Sequence, residues 1–344
     1  MSTLPPDRAR LLWIGLEGPD LERDRAPIRA GGAVLFGRNL DPDPRTGPLR
    51  CHTLIRELQA EWEDAVPLAV ALDQEGGPVS RLRPWVGETP SFHRIWRTSG
   101  PEGAQAWGRL WGEGLRLLGF NVNFAPSADR FDGHAGTGLG ERCASSDPEE
   151  VTAAAEAFLC GLESEGVAGC LKHFPGLGGT RVDSHRELPE LVDLDQLTLG
   201  RVPFQRLARP DRLVMVAHLR TPWSEGHPAS LHRGHVAANP WGVEAAWVTD
   251  DLEMGACAAY SWSERVHRAL DAGHLGLLVC QGEASQAAAV AALQQAPEDQ
   301  VSSALQRSRA FRRTLGAHHG APFDARAWED WAARVAEASA LQPS

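Results

Sequence analysis

The sequence predicts an α/β fold, a single (β/α)8 barrel of the TIM type with extra helices at its carboxyl end, and three observations lead there. Short apolar runs alternate with longer amphipathic runs, eight pairs in all. The short runs are apolar on both faces, as parallel strands read when helices cover each side of the sheet. No linker of biased composition interrupts the series. The repeats therefore belong to one domain over residues 1–344, with the barrel core at about 11–282 and the added helices at about 284–340. A doubly wound open sheet is the alternative. It uses fewer strands and shows a Gly-rich dinucleotide turn after the first, where this chain has Leu16-Glu17-Gly18-Pro19.

In chain order, the expected strands are Leu11–Leu16, Ala33–Phe36, Leu68–Leu72, Asn121–Ala125, Gly169–Phe174, Leu213–Ala217, Ala246–Thr249 and Gly276–Cys280. Helices are expected at Thr53–Ala65, Gln105–Leu118, Pro148–Glu165 and Ser263–Ala272. Two of these have clear start signals. Asp147 precedes a first-turn Pro148, and Ser261 precedes Glu264 in capping-box spacing. The tail beyond Ala284 is rich in Ala, Gln and Arg and reads as helices on the barrel's outside.

A net charge of −11 argues against nucleic acid or an anionic membrane as the main partner. No apolar run approaches the ~20 residues needed to span a bilayer, and the amino terminus lacks the basic and apolar regions of a signal peptide. The six cysteines (51, 143, 160, 170, 257, 280) show no C-x-x-C spacing, which suits a reducing cytoplasm rather than a disulfide framework or a zinc ribbon. Cys160, Cys170 and Cys280 lie in apolar runs and are expected to be buried. Oligomeric state is left open.

In a barrel of this kind chemistry gathers at the carboxyl ends of the strands. There the sequence places Asp73-Gln74-Glu75 with Arg81 following, Arg142 in the loop after the fourth strand, Lys172-His173, His218, and Asp250-Asp251. After Lys172-His173 comes a Gly-rich loop that closes on Asp183-Ser184-His185. No Ser or Cys stands in a nucleophile elbow. A strand-end aspartate with a separate proton donor is the two-group logic of retaining glycoside hydrolysis, with His185, oriented by Asp183, in place of the usual second acid. Two other classes fit some of these residues. Zinc hydrolysis would use Lys172, His173, His218 and Asp250, but no H-x-H pair stands on the first strand; a non-catalytic sugar binder would leave the Asp and His residues without a task.

Lys172-His173-Phe174-Pro175-Gly176-x-Gly178-x-Thr180-x-x-Asp183-Ser184-His185, with Asp73-Gln74-Glu75-Gly76-Gly77 and Thr249-Asp250-Asp251-Leu252-x-Met254, resembles the family 3 glycoside hydrolases. The likeness is strongest to their bacterial β-N-acetylglucosaminidase branch and extends over roughly 11–282. It implies hydrolysis of terminal β-linked N-acetylglucosamine, in cell-wall fragments for example, with neither metal nor cofactor; phosphate as acceptor is a variant. Position by position, it makes Asp250 the nucleophile, His185 the acid/base and Asp183 its orienting partner. Asp73, Arg81, Arg142, Lys172 and His173 would bind the sugar, and Asp251 would cap a helix. Three positions depart from the family pattern: Leu177 stands in place of His or Arg, Gly179 in place of Asp, and Pro78 in place of Arg. The first two leave the loop with fewer polar anchors, so it is expected to spend more time open.

Overall fold

The computed structural model describes residues 8–21, 28–62, 64–131, 133, 138–317 and 320–342. Eight parallel strands pair in one sheet: Leu12–Gly15, Gly32–Val34, Ala69–Leu72, Val122–Asn123, Ala168–Phe174, Leu213–Val216, Ala246–Thr249 and Leu277–Val279. They are called the first to eighth strands below. The eighth pairs with the first, and a parallel bridge from Val248 to Gly276 closes the sheet into a barrel. Every strand coincides with an expected one to within a few residues.

Where the backbone ladder is short, side chains extend it. The third and fourth strands share only two residue pairs. Asn121 Oδ1 accepts the Val70 N–H at 2.8 Å, and Asn123 Oδ1 accepts the Gln74 N–H at 3.0 Å while its amide donates to the Gln74 carbonyl at 2.9 Å. These two asparagines satisfy buried backbone groups that would otherwise be orphaned at large cost.

Helices follow six of the strands: Gly47–Glu61, Phe92–Leu118, Pro148–Ser164, Leu194–Leu207, Trp262–Ala272 and Glu283–Gln295. The expected eight pairs are thus not all strand-helix pairs. Among the described residues no α-helix joins the first strand to the second. The 217–245 connection between the sixth and seventh holds only the short 3-10 turn Ala229–Leu231. Pro222, Pro228 and Pro240, with Gly226, Gly234 and Gly242, break any helical run there. The Phe92–Leu118 helix begins well before the expected Gln105 because the chain resumes helix across a kink at Gly100, where φ is 55°. Asp147 and Ser261 cap their helices as their spacing predicts.

Inside the barrel, Trp13, Val34, Ala71, Phe124, Met215 and Val248 form the central core. One of the carboxyl-terminal helices does more than cover the outside. Glu298–Arg312 delivers Phe311 to the amino-terminal mouth, where its ring lies 6.4 Å from Trp13, itself 6.0 Å from Phe124. Arg312, fully buried, donates to the carbonyls of Val66 and Pro67 and pairs with Asp64 at 3.0 Å. Cys170 and Cys280 are buried as expected, but Cys160 is exposed on its helix. An apolar run on an amphipathic helix extends past its buried stripe, and position 160 falls on the outer side.

Candidate active site

The carboxyl-terminal mouth of the barrel holds a cavity of about 380 Å³. Asp73, Arg81, Arg142, Lys172, His173, Asp183, His185 and Asp250 all line it. The eight residues expected of a glycosidase site are therefore brought to one place. Phe36, Phe124, Met215 and Leu278 supply its apolar walls.

The cavity's charged side is a buried network. Lys172 Nζ donates to Asp73 Oδ1 at 2.7 Å and lies 2.6 Å from Glu75 Oε1. Arg142 makes a two-pronged contact with Glu75, both bonds 3.0 Å, and Arg81 reaches Asp73 at 3.6 Å. Glu75 was not singled out from the sequence, yet it joins Lys172 to Arg142. Burial pushes its carboxyl up, but the two cations outweigh burial and hold it at about 2. The same opposition lowers Asp73 below the carboxylate range and raises Lys172 above the usual lysine value. The buried Glu75 and Lys172 and the half-buried Asp73 and Arg142 are thus all charged, and paired charges tolerate burial that single ones do not.

His173 leans on a second residue outside the set expected from the sequence. Asp129, fully buried in the loop after the fourth strand, accepts the His173 Nδ1–H at 2.6 Å and its backbone N–H at 3.2 Å. A signal was present, since Asp129 stands six residues past Asn123 at a strand end, but nothing in the spacing aims it at His173.

The second Asp–His pair lies at the rim. Asp183 Oδ1 accepts His185 Nδ1–H at 2.6 Å and the His185 backbone N–H at 3.0 Å. The His185 side chain is 70% exposed, so its other ring nitrogen is open to a ligand and to water. Partial burial pushes the Asp183 carboxyl up; the His185 hydrogen bonds and charge prevail and lower it. The loop is docked onto the segment after the seventh strand, with Gly255 N–H donating to the His185 carbonyl at 3.2 Å and Ala256 N–H to Ser184 at 3.3 Å.

At the two departures in the loop, Leu177 and Gly179, the contacts are of another kind than polar side-chain anchors. Leu177 is 6% exposed and packs with Leu139, Leu191, Leu197 and Leu219, so apolar burial anchors the loop at this point. Gly179 has φ 96°, a conformation that side chains rarely adopt. Pro78 lines an adjoining cavity of about 840 Å³ that shares Val79, Leu139 and Arg142 with the first.

At the seventh strand's end, Asp250 Oδ1 accepts the Asp251 N–H at 2.8 Å and its side chain faces the cavity. Asp251 is no helix cap. It accepts from the Glu253 and Cys280 N–H groups at 3.1 and 3.3 Å and from Gln281, tying the seventh strand's end to the eighth's. His218 is absent from the cavity lining; its ring nitrogens meet Ser230 Oγ at 2.6 Å and the Asp251 carbonyl at 2.9 Å. Lys172 is committed to two carboxylates. The zinc set His173, Lys172, His218 and Asp250 is therefore not assembled, and no group of three metal-ligating side chains occurs among the described residues.

Residues 26–309 match the family described as Glycosyl hydrolase family 3 N terminal domain. The chain is 33% identical over 294 residues to a β-hexosaminidase of Methylococcus capsulatus, covering 81% of this chain and 85% of that one. It is 38% identical over 288 residues to β-hexosaminidase LpqI of Mycobacterium tuberculosis, covering 78% and 71%. Among solved structures, NagZ from Neisseria gonorrhoeae in complex with N-trifluoroacetyl-D-glucosamine aligns with a TM-score of 0.77 at 25% identity, over 96% of this chain and 98% of that one.

Proposed function

This chain belongs to glycosyl hydrolase family 3, and we propose that it is a retaining exo-glycosidase that removes terminal β-linked N-acetylglucosamine. The observation that carries the reading is the cavity itself: one strand-end carboxylate, Asp250, shares it with a rim Asp–His pair and a buried set of fixed charges. In this reading Asp250 attacks the anomeric carbon while His185 protonates the leaving oxygen, giving a glycosyl-aspartate. Water then attacks the same carbon, with His185 taking its proton. Asp183 holds the ring with Nδ1 as donor, so that Nε2 is the atom that gives and takes the proton. Asp73, Arg81, Arg142, Lys172 and His173 hold the sugar; their ion pairs set their positions before the ligand arrives, which lowers the reorganisation needed at the transition state. We place the enzyme in a reducing cytoplasm, acting on cell-wall fragments; its six free thiols support the compartment.

A panel of p-nitrophenyl glycosides, assayed with and without phosphate, tests the substrate and the acceptor. The expected result is turnover of the β-N-acetylglucosaminide, with free sugar and no sugar phosphate as product. In Asp250→Ala, kcat should fall by several orders of magnitude while product still binds, because the lost bond forms only on the way to the transition state. A fluorinated glycosyl donor should label Asp250, and label on another residue would displace it as nucleophile.

A further inference from the structure

Two Asp–His pairs face this cavity, and the buried one has a second attachment. Asp129 uses both carboxylate oxygens. Oδ2 accepts from His173 Nδ1 at 2.6 Å, from the His173 backbone N–H at 3.2 Å and from Ser127 Oγ at 3.3 Å; Oδ1 accepts from the Leu177 N–H at 2.7 Å. Leu177 is the residue at which the loop carrying Asp183 and His185 leaves the barrel, and its side chain is buried there. We propose that Asp129 is a positioning residue for both halves of the site, fixing the tautomer of His173 and pinning the root of the loop that carries His185.

The chemistry of a carboxylate makes this specific. An ionised carboxylate only accepts, so the His173 nitrogen at 2.6 Å must be the donor. Nδ1 then carries the proton, and Nε2, which has no hydrogen-bond partner among the described residues, is the ring atom offered to a ligand. Burial alone would favour a neutral Asp129, but the His173 charge and hydrogen bonds and the Leu177 N–H lower its pKa, consistent with an acceptor at both oxygens. An amide of the same shape has one accepting end and one donating end. Asp129→Asn can therefore keep the His173 bond or the Leu177 bond, but not both.

The inference rests on reading the cavity as a sugar site, so its test has one arm that needs no sugar. Nitrogen-15 spectra of the histidine-labelled wild-type protein, with His173 assigned by its loss in His173→Gln, should show Nδ1 protonated at neutral pH. A His173 protonated only at Nε2 would overturn the proposal. In Asp129→Asn the expected result is one of two losses, each about 10- to 100-fold, the range for a charge-assisted hydrogen bond. If the loop bond is kept, His173 switches to the Nε2–H tautomer and the inhibition constant for N-acetylglucosamine rises. If the His173 bond is kept, that constant holds and kcat falls. Unchanged tautomer, inhibition constant and kcat together would overturn it. Should the variant fail to fold, the wild-type spectrum still decides. A wild type with the expected tautomer but no action on N-acetylglucosaminides would instead refute the functional reading alone.

Discussion

Asp251 and Asp250 are adjacent in sequence, and the fold gives them different environments. Both border the cavity, but Asp251 also turns its carboxylate into the seam between the seventh and eighth strands, where it accepts the Cys280 N–H. Burial there, reinforced by the neighbouring Glu253 and Asp250 charges, pushes the Asp251 pKa up to about 6 against the hydrogen bonds that lower it. A folded-state pKa above the unfolded value means that the folded protein binds the proton more tightly. The stability this group contributes is present at low pH and is lost as pH rises from about 4 through about 6. Asp251→Asn removes the titration and keeps an acceptor for the Glu253 and Cys280 N–H groups. Relative to wild type, the variant should gain about 1–2 kcal/mol between pH 4 and pH 6.5 and nothing further above that. Denaturant unfolding of both proteins across this range checks it, and a difference that does not vary with pH would show that Asp251 is not the group that titrates.

The loop after the fifth strand works as an element with two anchors. At its root, Leu177 is buried and its N–H meets Asp129. At its tip, His185 and Ser184 receive the Gly255 and Ala256 N–H groups. The tip contact depends on there being no side chain at 255. A Cβ there would stand 2.3 Å from the Arg186 carbonyl oxygen and 2.9 Å from that of His185, distances no packed structure tolerates. Gly255→Ala should therefore lift the His185 segment off the seventh strand's end and leave the buried charge network in place. We expect kcat to fall by about 10- to 100-fold, since a shift on the order of 1 Å in a reacting group costs this much. The inhibition constant for N-acetylglucosamine should stay within about threefold. Equal losses in both constants would mean that the tip holds the sugar as well as the proton donor.

At the scale of the molecule, the barrel is stabilised by helices far from its chemistry. The helix Ala325–Ala340 packs on Phe92–Leu118, where Trp331 is fully buried, its ring 4.5 Å from Trp328 and 6.3 Å from Trp111. Its indole N–H donates to the Leu110 carbonyl at 2.7 Å, and Gly114 makes room for the ring, since a Cβ there would stand 2.2 Å from it. Trp331→Ala removes this packing and the indole hydrogen bond to Leu110. A loss of about 3–5 kcal/mol is expected in denaturant unfolding, with kcat and KM of the folded protein unchanged. A change in KM would reveal coupling between this helix and the mouth of the barrel.

The sequence by itself determined the barrel, its strand positions and the eight polar residues that meet at its mouth. Parallel strands buried on both faces read as short apolar runs, and a polar residue at the end of such a run has few other places to go. Glu75, Asp129, Gly255 and the apolar anchor at Leu177 were decided only in the tertiary structure. Glu75 and Asp129 lie in segments that follow strand ends, like the others, but what matters is which cation or ring each one meets, and that partner lies 67 residues away for Arg142 and 44 for His173. A glycine required by a neighbouring loop, or a leucine that anchors a loop by its own burial, shows its reason only against the surface it packs on. Local pattern sets which face of an element is buried; partners distant in sequence are set by how the elements close on one another.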